Sequence, residues 1–128
     1  CLNATCPRSQ NCLRRTAALQ DTDEHLFLKV VNPLRYPKEG EECELFRSTD
    51  KVRMAWGVTH LLDNVPYKEG SLLRNMIINH LGRSQYYRCF RKERPFAPQD
   101  QQTIRMLFRQ RGISEEPSFD YYTNEFNW

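Results

Sequence analysis

The residues best suited to chemistry lie in one stretch. Arg83, Arg88, Arg91, Lys92 and Arg94 are interleaved with Tyr86, Tyr87 and Phe90, and Arg105, Arg109 and Arg111 follow. Only Glu93 and Asp100 oppose them locally. Cations set between rings can stack bases or grip sulfated glycans. The plainer reading is a strand with a core face and a charged solvent face, and it is preferred because rings are ordinary strand residues.

Turnover chemistry would need other groups. His25, His60 and His80 are widely spaced, with no i, i+4 pair, and no C-x2-C occurs, so zinc-finger spacing is absent and no metal site is expected. A cysteine and a histidine could form a nucleophilic pair, but crosslinking cysteines are the preferred reading. No G-x-S-x-G, P-loop or dinucleotide fingerprint is present. Glu41-Glu42 and Glu115-Glu116 fall in turn-like stretches and read as solvated faces rather than acid–base pairs. The expectation is a non-enzyme without cofactors.

Five cysteines in 128 residues is a high count, and Cys1, Cys6 and Cys12 crowd the first dozen positions. Beside them Asn3-Ala4-Thr5 forms a glycosylation sequon. Together these favour a secreted glycoprotein in an oxidising compartment. Disulfides are expected among Cys1, Cys6, Cys12, Cys43 and Cys89. Cys43 and Cys89 would each reach a partner in the N-terminal segment, or each other, and the odd count leaves one thiol unpaired or paired to another molecule. No signal-peptide pattern occurs, so any such segment is expected to have been removed. No apolar run is long enough to span a membrane. The net charge of +3 is too mild to imply nucleic acid by itself. With 39% hydrophobic residues but 12% aromatic ones, the core should be built on rings.

The length suits one domain, read as an arm over residues 1–20 and a body over 21–128. Cys1–Arg15 reads as an irregular arm, Thr16–Gln20 as a helical turn and Asp21–Glu24 as a polar hinge. Leu26, Leu28 and Val30 suggest a strand over His25–Val31, and Glu42–Arg47 a short second one. Val52, Met54, Trp56, Val58 and His60 alternate strictly, the strongest strand signal in the chain. Ser71 would cap a helix carrying Leu72, Leu73, Met76, Ile77 and Leu81, ended by Gly82. Gln85–Arg91 is expected as a strand. Past Pro95, with Pro98 in the first turn, Ile104, Leu107 and Phe108 mark an amphipathic helix that Gly112 closes. The ring-rich tail, Phe119 to Trp128, should dock on the body.

The C-terminal third resembles the closing segment of lipocalins. The matching residues are Tyr86–Arg91 as the last barrel strand, Arg94, the helix Gln99–Arg111, the turn Gly112-Ile113-Ser114-Glu115, and Phe119–Tyr122 as an edge strand. The resemblance implies a cup for a small apolar ligand, lined by Met54, Trp56 and Val58.

The expected fold is therefore α+β. An antiparallel sheet centred on Val52–His60 and Gln85–Arg91 would pack against helices Ser71–Leu81 and Gln99–Arg111, with disulfides tying down the arm. The expected function is secreted protein–protein binding to a receptor or host factor. Carriage of a small apolar ligand comes second, and polyanion binding through Arg83–Arg94 third.

Overall fold

The computed structural model of the protein describes residues 1–20 and 25–128. The hinge expected at Asp21–Glu24 lies outside the described residues. Among those residues, four α-helices and one two-stranded antiparallel sheet make a mixed α+β structure. The contacts divide it into two compact units, Cys1–Lys51 with Phe126–Trp128, and Val52–Glu125.

The alternating run forms β1, Lys51–Trp56, all but Lys51 in the second unit. It stops earlier than His60 because Gly57 turns the chain at φ +71°, a conformation that L side chains resist. Its partner is the tail strand β2, Tyr121–Phe126, rather than Gln85–Arg91. Helix α2, Tyr67–Leu81, begins one turn before Ser71, directly after Pro66. The Gly70 N–H donates to the Pro66 carbonyl at 2.9 Å, so the first turn needs no serine cap. Gly70, Leu73 and Ile77 form its buried stripe. Helix α4, Pro98–Gln110, follows the sequence reading closely, with Ile104 and Phe108 inside. Asp100 accepts the Ala97 N–H at 3.3 Å at its N-terminus.

The stretch Gln85–Arg91 is corrected. Arg83–Phe90 is a helix, α3, joined to α2 through Gly82 alone. The Tyr86 N–H donates to the Gly82 carbonyl at 3.0 Å, so the residue that closes α2 also opens α3. β-favouring residue types lose here to the burial of Tyr86 and Cys89, an i, i+3 pair on one helix face.

The core of this unit gathers Ala55 and Val58, Leu73 and Ile77, Tyr86 and Cys89, Phe96, Ile104, Phe108 and Phe119. Rings contribute directly: Phe96 and Phe119 lie 5.2 Å apart and Tyr122 meets Phe119 at 6.1 Å. Ala55 and Phe96 exchange backbone hydrogen bonds at 3.1 and 2.7 Å, fastening the segment before α4 to β1.

The first unit is built differently. Helix α1, Leu13–Gln20, is longer than the expected turn, and short 3-10 turns stand at Ser9–Asn11 and Pro33–Arg35. The strands expected at His25–Val31 and Glu42–Arg47 are not formed; those residues run as coil and turns. Backbone bonds tie α1 to the later loop, from the Leu13 N–H to the Arg47 carbonyl at 2.7 Å and from Thr49 to Asn11 at 3.2 Å. The Arg8 guanidinium sits 3.4 Å from the Phe46 ring centre. Its only buried hydrophobic residues among those described are Cys12 and Leu13.

The expected disulfides are also corrected: all five cysteines are unbonded thiols. Cys89 is 1% exposed inside the second unit's core, where its thiol faces the Pro95 carbonyl.

Candidate interaction surface

The turn of the chain from strand to helix re-sorts the basic and aromatic residues of α3. Tyr86, 4% exposed, points into the core, and burial pushes its phenol up while Arg74 nearby opposes that. Arg83, Tyr87 and Arg91 recur at four-residue steps on the outer side, with Arg88 and Phe90 flanking them. Tyr87 and Phe90 are 39% and 47% exposed and meet edge to face at 6.5 Å.

The cations around them fall into two groups. Arg91 is held by Glu93 at 2.7 Å, which keeps the Glu93 carboxyl below its ordinary range. Lys92 pairs with Asp120 at 3.1 Å and Arg94 donates to Gln85 at 2.8 Å. Arg105 and Arg109 both reach Glu116, at 2.5 and 3.6 Å. Arg83 and Arg88 are exposed and make no ion pair among the described residues. Most of the basic cluster is thus engaged within the chain, Arg111 with Glu69 at 2.6 Å included, which leaves Arg83 and Arg88 outside any contact ion pair among the described residues, beside two half-exposed rings.

The residues expected to line a cup have other work. Val58 packs in the core, Met54 is 5% exposed, and Trp56 stacks on Tyr121 at 5.9 Å. The Trp56 indole N–H donates to Thr123 Oγ1 at 2.7 Å, and that hydroxyl donates to Glu125. Arg53 lies over Tyr122, 3.8 Å from the ring centre. Asn3 of the sequon accepts bonds from the Thr5 N–H and hydroxyl at 3.1 and 2.9 Å.

One polar knot escaped the sequence reading. Asp120 accepts the Thr59 N–H at 2.9 Å and the Thr59 hydroxyl at 2.8 Å besides the Lys92 ammonium. Lys92 holds the knot from a left-handed backbone position, φ +61°. Burial works to raise the Asp120 carboxyl, but the bonds from Thr59 and Lys92 win and hold it below its ordinary range. Every oxygen is satisfied within the chain, so the knot fastens Gly57, α3 and β2 and offers no open base. No motif marks these residues; Gly57 at the end of an alternating run is the only local signal.

No group of three or more His, Cys, Asp or Glu side chains among the described residues is arranged to hold a metal ion as it stands. Among the same residues, no helix is long and apolar enough to cross a membrane. No curated protein and no solved structure matches the chain. A family model does, over residues 1–128, and the chain belongs to that family, described as a family of unknown function, DUF6078.

Proposed function

We propose that the protein is a non-enzymatic binding module whose second unit engages a protein partner through the outer face of α3. The supporting observation is the pairing of Tyr87 and Phe90, each roughly half exposed, with Arg83 and Arg88, which are exposed and stand in no contact ion pair among the described residues. Rings and arginines are the residues that carry contact energy when a partner excludes water. The partner this surface fits is a protein segment that presents carboxylates between apolar side chains.

Polyanion binding is the weaker reading. Six of the clustered cations already hold a carboxylate or a side-chain amide, and each must be released before it can meet a phosphate or sulfate. Two free arginines would give a log-affinity slope against log salt of only about −2, far below that of a dedicated nucleic-acid binder.

Full-length chain crosslinked in its own cells and then sized tests the reading. The wild type is expected in one discrete species heavier than the monomer, and the Arg83→Glu/Arg88→Glu variant in the monomer alone. Identical elution of the two would end the proposal. Retention on heparin well beyond a generic cation exchanger would move the assignment to polyanions.

A further inference from the structure

The first unit poses a stability problem that its apolar residues do not solve. Cys12 and Leu13 are its only buried hydrophobic residues among those described, while Leu19, Leu26, Phe27 and Leu34 are at least two-thirds exposed. A piece of chain this small and this poor in core is ordinarily held by crosslinks or by an ion. Covalent crosslinks are not formed.

What the unit has instead is convergence of sulfur. Cys1, Cys6, Cys12 and Cys43 all line one small cavity of about 20 Å³, and the fifth cysteine belongs to the other unit. The spacing, C-x4-C-x5-C-x30-C, gives no C-x2-C signature, so only the folded chain brings the four together. Three of them open tight turns. The Cys6 carbonyl accepts the Ser9 N–H at 3.0 Å, Cys12 that of Arg15 at 2.9 Å, and Cys43 that of Phe46 at 3.0 Å.

The surroundings suit a negative centre. Arg14, Arg15 and Arg35 share the wall, and no Asp or Glu does. Around Cys12 the backbone N–H groups of Arg15, Arg47 and Arg14 face the sulfur. Donors aimed at sulfur are the second layer that thiolate metal sites use. The space of about 20 Å³ suits a single ion.

We propose that Cys1, Cys6, Cys12 and Cys43 form a structural four-thiolate site for one zinc ion, which serves as the missing core of the first unit. The sulfurs do not stand at ligand distance as they are. Binding draws them in to about 2.3 Å and releases the thiol protons, so that metal affinity becomes folding energy. The inference is independent of the α3 surface.

Full-length chain purified under reducing conditions tests it. Elemental analysis is expected to find one zinc per chain, released when a mercurial titrates the thiols. Cys6→Ser and Cys43→Ser should lose the zinc, and Cys89→Ala should keep it. Because serine variants can misfold, cobalt exchange on the unaltered chain gives a second reading: one cobalt per chain, with intense visible bands of a tetrahedral sulfur site. Four freely reactive thiols without metal would overturn the proposal. So would two disulfides in the native chain, or the broad absorbance of an iron–sulfur cluster.

Discussion

At residue scale the structure depends on a few side chains with tightly set surroundings. A Cβ at Gly57 would overlap the Asp120 carboxylate and come within 2.8 Å of Lys92 Cε, in a backbone conformation that already resists it. Gly57→Ala should therefore lower stability by about 1–3 kcal/mol in urea unfolding, through strain and a displaced ion pair. Asp120 carries a pH signature. Its folded value is depressed, so its contribution is present above the unfolded value of about 3.9 and fades as pH falls through the lower folded one. Asp120→Asn should cost about 1–3 kcal/mol at neutral pH and flatten the acid limb of the stability curve. Cys89 has the opposite sign. Burial pushes its thiol up to about 11, so its contribution is intact below the unfolded value of about 8.5 and is lost as pH rises toward 11. Iodoacetamide at pH 8 should accordingly leave Cys89 unlabelled in the folded chain and modify it in urea.

At the scale of elements, legibility followed the strength of the period. Ile104, Leu107 and Phe108 leave one phase open to α4, and Pro98 and Gly112 frame it, so its bounds were readable to a residue. The alternation after Lys51 identified β1, but not the halt that Gly57 imposes. Tyr86, Tyr87, Cys89 and Phe90 favoured a strand by type, and only tertiary burial of Tyr86 and Cys89 makes α3. The consequence is measurable. A strand puts Tyr86 and Cys89 on opposite faces, whereas the helix buries both. Tyr86→Ala should cost about 3 kcal/mol, as truncations of buried rings do, Cys89→Ser about 1–3 kcal/mol, and the exposed Phe90→Ala about 0.5 kcal/mol. A loss for Cys89→Ser no larger than that for Phe90→Ala in chemical unfolding would restore the strand.

For the whole molecule, the α+β class was visible in the mixture of periods, while its division was not. One unit is organised by apolar packing around Leu73, Ile77, Phe96, Ile104 and Phe108, the other by loops around four sulfurs. Cysteine counting pointed to crosslinks because sequence gives spacing but not convergence. The same limit hid the proposed contact face: the arginines were legible, but their pairing with Glu93, Asp120, Glu116 and Glu69 is a property of the fold. A chelator with reductant should speed amide exchange across the described residues of Cys1–Lys51 and leave α2 and α4 protected. The contact role of α3 is tested most directly by a photo-crosslinking amino acid placed singly at Ser84, Tyr87 and Phe90, with exposed Gln102 and Asn75 as controls on other helices. The account predicts one adduct of constant mass from the three α3 positions and none from the controls. No adduct on α3, or equal yield at Gln102, would contradict it.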